Sequence, residues 1–506
     1  MEQSLPFAWT VFAFAVYTIL LFAISHYSAR GGSANSFFKG DRQAPWFVVA
    51  YGMIGASLTG VTFISVPGNV WTQNFFYMPM VLGFAVGYVI IAKVLLPLYY
   101  RMGLTSIYTY LDERFGRSSY WTGSSFFILS RLLGAAVRVY VVIVVLLSFL
   151  PVSFVASLGS FGAFVLVSLV FLLLVYLYTY RGGVRSIIWT DVLQTSFMLL
   201  AVALSIIFIC KDMGWSFGEM FSSVGSAINE NVSVVGNGRP FTSWFDRNWN
   251  HGTNVIKQFI SGIVVTIAMT GLDQSIMQKN LACKDLKSSQ KNMYSTAAII
   301  VAVNLFFLLL GALLCVYVNG KGGFEAFGIA KTDQIFPAVA STCLGAGVAL
   351  FFLIGLISAS YPSAGAAMTS LTSTICVDFL GFNRRSDLDE KSKERKRKLI
   401  QAGVTLAFFL IMSVLFLISN DSVINIIYKL ASYTYGPLLG MFFFGILTRA
   451  DIHDKAAPYV AVLSPLLCLL LNTLLKNSLG FDLGFSLLLV NGLLSFAGLA
   501  LISKRK

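Results

Sequence analysis

Residues 51–70 read YGMIGASLTGVTFISVPGNV, and this stretch is the key to the architecture. The stretch lies within a long apolar segment. It also holds four glycines, a proline, and the hydroxyls of Ser57, Thr59, Thr62 and Ser65. Glycine and proline both weaken a helix. A backbone that comes undone in hydrocarbon must find new partners for its freed carbonyls, so an interrupted span is tolerated only against protein or a water-filled cavity. Close helix packing through small residues would explain the glycines. It would not require so many hydroxyls.

The rest of the chain supplies the membrane. Of 506 residues, 57% are hydrophobic and only 11% charged, whereas a soluble domain carries roughly 25% charged residues. Apolar blocks recur at the length of about 20 residues that crosses a bilayer. Thirteen spans are expected, near 7–27, 46–73, 76–100, 119–150, 153–180, 187–210, 252–279, 292–318, 343–378, 398–418, 424–448, 455–475 and 483–503. The net charge of +14 would suggest nucleic acid in a soluble protein. Here its distribution excludes that partner: 25 of the 36 Lys and Arg fall in alternate loops, which marks those loops as cytoplasmic. The N-terminus is then outside and the C-terminus inside. The first span is read as a retained helix, because its leading MEQSLP has no positive charge. The run RRSDLDEKSKERKRK (384–398) reads as a topology signal. Membrane lipid is the one partner that every span implies.

Six cysteines without regular spacing read as small packing residues. No HExxH, GxxxxGK[ST] or GxSxG occurs, and no nucleophile–base pair supports an enzyme.

Five spans lie between 46 and 210 and five more between 252 and 448. Five is odd, so the second group starts from the opposite face of the membrane. That is the order of an inverted repeat, with binding at the midplane between two broken helices. The second break is expected in SGIVVTIAMTGLDQ (261–274). The chain divides accordingly into 1–45, the repeats 46–210 and 252–448 around an extracellular loop 211–251, and a C-terminal pair of helices with a basic tail, 449–506. ISASYPSAGAAMTSLTST (357–374) is rich in small hydroxyl residues, and Pro362 frees the Ser358 carbonyl. Such oxygens suit a hard monovalent cation. Two ionisable features stand inside spans. Arg131 and Arg138 are seven apart and share a helix face; they attract an anionic solute or pair with a carboxylate. Asp191 needs a cation, a proton or an arginine to offset its burial. Lys93, Lys257 and Lys429 lie near span ends and are read as snorkelling.

Four stretches together resemble the sodium:solute symporter family: YTYRGGVRSIIWTDVLQ (178–194), LDQSIMQKNLACKD (272–285), PLYYRMGLTSIYTYLDERFG (97–116) and YGPLLGMFFFGIL (435–447). The resemblance implies an all-α membrane protein with a LeuT-like 5+5 inverted repeat, one extra N-terminal helix and two extra C-terminal helices. It implies sodium as the coupling ion, held by the carbonyls of Gly55 and Leu58, by Ala359 and Ser363, with Asp191 at a second site. The chain departs from the pattern at PSAGAAM (362–368): Pro362 replaces a hydroxyl ligand, and Gly365 and Ala366 replace two more. Proton coupling, or weak coupling, therefore stays open beside sodium symport.

For the solute, the matching hydroxyls are Ser57, Thr59 and Thr62. A glutamine of sialic acid carriers falls on Leu82, and their arginine on Gly134, between Arg131 and Arg138. Leu82, Met78, Met80 and Met269 would make a more apolar wall. The expected function is uptake of a small organic solute, a sugar or an organic acid, across the cell membrane by a monomer or loose oligomer.

Overall fold

In the computed structural model the described residues are 6–29, 46–103, 106–231, 234–382, 389–418 and 423–504, without the side chains at 25, 27–29, 56, 180–188, 390, 423 and 424. They are almost entirely helical. Helix α1 spans Phe7–Ala29. The next span is bent by 54° into α2, Trp46–Ser57, and α3, Gly60–Gln73. Then come α4, Met78–Ile90, which runs on through a π turn at Ile91–Leu95, and α5, Arg117–Ser148. Helix α6 is assigned from Val152 to Asp212. The second half begins with another span bent by 71°. Its parts are α7, Val255–Thr266 with a π turn to Gly271, and α8, Gln274–Leu281. Helices α9, Leu286–Gly320, α10, Gly345–Thr374, α11, Glu390–Ile418, and α12, Val423–Leu447, follow. Helices α13, Ala457–Leu479, and α14, Leu487–Leu501, close the chain. Eleven helical segments among the described residues are long and apolar enough to cross a membrane, and thirteen when each bent pair counts as one. This is the span number read from the sequence.

Helix α6 supplies two of those spans, Val152–Thr179 and Trp189–Asp212. They lie side by side. The Phe171 ring is 4.7 Å from that of Tyr361, and the Phe197 ring is 5.9 Å from Tyr17, itself 6.1 Å from Tyr361. A straight helix would separate residues 171 and 197 by about 39 Å. The chain therefore reverses between the two spans, and both line α10.

The two bent spans differ at their breaks. Between Ser57 and Gly60 the chain leaves the helix for two residues, Leu58 and the extended Thr59. In the second, the π turn widens the helix before Leu272, and Asp273 then caps α8 by accepting from Ile276 N at 3.1 Å. Helix α10 behaves otherwise than expected. Pro362 sits inside it, yet the helix continues unbroken from Gly345 to Thr374. One missing N–H is tolerated because the flanking turns and neighbouring helices hold the backbone in place.

Two glycines bring the halves together. A Cβ built on Gly83 in α4 would strike the Phe259 carbonyl, and one on Gly262 in α7 would strike the Met80 carbonyl. Helices α4 and α7 thus meet backbone to backbone, the contact that small residues permit where lipid offers no hydrophobic drive. Free cysteines 210, 283, 315, 376 and 468 are buried. Lys257 does not snorkel: it is 6% exposed, donates to the Asp482 carbonyl at 2.6 Å and sits 3.6 Å over the Phe481 ring. A nearby carbonyl and a π face hold the ammonium better than a climb to the interface.

Candidate functional site: a cavity at the first helix break

The break at Leu58–Thr59 opens on a cavity of about 110 Å³. Ser57, Leu58, Thr59 and Thr62 line it from the broken span, Arg138 from α5, Thr266 from the end of α7, and Met269 and Thr270 from the π turn that follows it. Helix α9 adds Ile300 and Asn304, and α12 adds Ile427 and Tyr428. Several of the hydroxyls pair with one another. Ser57 Oγ and Tyr88 OH are 2.7 Å apart, and Tyr77 OH and Tyr428 OH 3.0 Å. The Arg138 guanidinium makes no ion pair and no hydrogen bond among the described residues.

Five of the residues singled out for the solute, Ser57, Thr59, Thr62, Arg138 and Met269, therefore share one cavity. Two others lie elsewhere. Leu82 is 37% exposed on the outer side of α4; a leucine there meets lipid. Arg131 is 7% exposed and bonded to Asp273 Oδ2 at 3.2 Å and Ser275 Oγ at 3.3 Å. Tyr435 OH also donates to Asp273 Oδ2, at 3.2 Å. That buried pair ties α5 and α12 to the cap of α8, and it takes Arg131 away from the solute. Met78 and Met80 are buried in packing, outside the cavity lining.

Four of the positions assigned to the ion, Gly55, Leu58, Ala359 and Asp191, lie around the break, but with protein donors among them. Interrupting the helix frees the carbonyls of Gly55 and Leu58. Gln194 Nε2 donates to both, at 2.6 and 3.3 Å. Gln194 is fully buried, and its Oε1 has no hydrogen-bond partner. Gly55 makes this reach possible, because a Cβ there would lie 2.5 Å from Thr195 Oγ1 and 3.0 Å from the Asp191 carbonyl. On α10, Ala359 and Ser360 face Gly60 across the break. Ser363, half-buried, lies one turn further along the same helix. Asp191, 1% exposed, is 2.5 Å from Lys279 Nζ on α8, and Lys279 is 4% exposed. The sequence reading offered Asp191 a cation, a proton or an arginine; a lysine occupies its Oδ2. At Gly365 an added side chain would meet Tyr178 OH and Thr179.

Sequence reasoning did not find Gln194, Lys279, Asp273 or Asn304 as site residues. The first three stand inside the quoted motifs, so a signal existed. What they touch is set by how α6 and α8 pack on the break.

With this geometry in view, the comparisons are specific. The sodium:solute symporter family pattern matches residues 37–451. The chain belongs to the sodium:solute symporter family. Among its relatives, the sodium/sialic acid symporter SiaT of Proteus mirabilis (strain HI4320) is 23% identical over 431 residues, covering 84% of this chain and 81% of that one. The sodium/sialic acid symporter NanT of Aliivibrio fischeri (strain ATCC 700601 / ES114) is 23% identical over 441 residues, covering 85% and 81%. A solved Na+-coupled sialic acid symporter in a substrate-bound outward-open state superposes with a TM-score of 0.80 at 20% identity, over 98% of this chain and 99% of that one. The fold is the LeuT-like one that the family resemblance implied, and the protein is a multi-pass membrane protein of a transporter family.

Proposed function

We propose that this symporter-family member carries a small organic anion into the cell in symport with sodium, by alternating access around the cavity at the first helix break. One observation carries the anion: among the described residues Arg138 presents an unpaired guanidinium to the cavity, and no Asp or Glu lines it. A cation held in such a place without a partner is costly and usually functional. The carboxylate in the name of the sialic acid relatives supports the same reading. Ser57, Thr59 and Thr62 would hydrogen-bond the solute, and Met269 would pack on its apolar side.

Sodium would enter at the carbonyls of Gly55 and Leu58, with Ala359 and Ser363 from α10. To do so it must displace the Gln194 amide, which already satisfies those carbonyls. Ion and solute both touch the broken span, so each favours the conformation that suits the other, and that shared preference is the coupling. In this reading the basic loops are cytoplasmic, with the N-terminus outside and the C-terminus inside.

A second reading has specific observations in its favour. Pro362 offers no hydroxyl, the Gln194 amide holds the two carbonyls, and Lys279 holds Asp191. A carrier driven by protons, or weakly coupled, needs no vacant sodium site. Uptake into proteoliposomes, with sodium and pH gradients imposed separately, decides between them. Accumulation of organic acids driven by sodium is expected. Accumulation driven by the pH gradient alone would establish the second reading. Arg138→Gln should lower acid uptake at least ~10-fold, by loss of a charge-assisted hydrogen bond in a desolvated site. Uptake of neutral sugars by the wild type, undiminished in that variant, would remove the anion.

A further inference from the structure

Arg138 is one unbalanced group in the cavity; Asn304 is another. Asn304 lies on α9 and is 1% exposed. Its Nδ2 donates to the Ile300 carbonyl at 2.8 Å, one turn back, which fixes the amide's orientation. Its Oδ1 is buried without a hydrogen-bond partner. Most buried side-chain polar atoms have one, and an acceptor left bare forfeits the bond it made in water. Helix geometry offers no internal donor, because the backbone N–H groups of α9 are spent on its own turns. Beside the hydroxyls of the broken span, the cavity thus holds one unpaired cation and one fully buried bare acceptor among the described residues, on a wall whose other groups include Val61, Phe84, Val265, Met269, Ile300 and Ile427.

We infer that Asn304 determines specificity, and that the carried anion is a small hydroxylated monocarboxylate: its carboxylate meets Arg138 and one hydroxyl donates to Asn304 Oδ1. This rests on the anion-carrier reading above. The hydroxyl is favoured over an ammonium group because the cavity has no carboxylate to receive one. One carboxylate is favoured over two because Arg131, the next cation along α5, is bound to Asp273. The size follows from the cavity. A water-sized group takes ~10–15 Å³ of such space, so about 110 Å³ admits a solute of on the order of eight to ten heavy atoms.

The test is uptake of matched acids into proteoliposomes: lactate against propionate, and 2-hydroxybutyrate against butyrate, with alanine as a zwitterion and a neutral sugar beside them. The hydroxylated member of each pair should half-saturate at a concentration at least ~10-fold lower, as expected when a site built for a hydroxyl meets an analogue that lacks it. Asn304→Leu should bring the two members within about 2-fold, by raising the half-saturating concentration of the hydroxylated acid toward that of the plain one. Asn304→Ala is the second variant, should the leucine fail to insert, and the wild-type ratio stands without either. Equal half-saturation in the wild type overturns the inference while the anion reading stands. So does a ratio unchanged in both variants, or a preference for alanine over lactate. Uptake of the sugar with none of the acids removes the anion reading itself, and the inference falls with it.

Discussion

Two side chains at the break stand where cations are expected. The Gln194 amide bridges the Gly55 and Leu58 carbonyls, and the Lys279 ammonium holds Asp191. The first makes sodium binding an exchange: an ion takes the carbonyls only as the amide lets go. Each amide–carbonyl bond contributes about 1 kcal/mol net. Gln194→Leu removes the rival donor, so the sodium concentration at half-maximal uptake should fall several-fold. A rise instead would make the amide a ligand of the ion. Lys279→Met leaves a buried carboxylate without its partner, a change that costs about 3–5 kcal/mol. The variant should melt earlier in detergent, and Asp191→Asn together with Lys279→Met should recover much of the loss. Recovery that fails would mean that the lysine acts through some other contact. At this scale the hydroxyls were legible: Ser57, Thr59 and Thr62 follow from glycine and proline within a span, and they line the cavity. Gln194 was in plain view three residues after Asp191, but no spacing says which carbonyl a glutamine on another helix will reach.

Among the elements, the two bent spans are the informative ones, and they come undone by different means. The first loses helical geometry at Leu58–Thr59; the second widens into a π turn before Asp273 caps the next helix. Both breaks sit beside glycine, and both were expected from composition. The smooth course of α10 through Pro362 was not, because a proline's effect depends on what surrounds the freed carbonyl. Close packing of α4 on α7 rests on Gly83 and Gly262. Gly262→Leu would drive a side chain into the Met80 carbonyl, and overpacking of this kind costs about 1–3 kcal/mol or more. A lower melting temperature is expected for it. Gly134→Leu is the control: nothing lies within 4 Å of a Cβ there, and its melting temperature should stay near the wild type's.

For the whole molecule, the span order and the charge bias make one joint prediction. Reporter fusions should find the loop near residue 240 outside and the segment near 395 in the cytoplasm; the reverse would overturn the charge argument. The membrane class, the number of spans and the place of both helix breaks were readable in the order of residues alone. These depend on local quantities, namely apolar length, odd or even counting, and the backbone preferences of glycine and proline. Which polar groups meet was set by how the helices pack. Arg131 and Arg138 share a helix face and one residue type, yet Arg131 is bound to Asp273 while Arg138 looks into the cavity. The carbonyls freed at Leu58 could have faced water, an ion or an amide, and the approach of α6 through Gly55 settled on the amide. A partner across 136 residues of chain is a matter of packing between helices, and packing is a property that no single stretch of sequence contains.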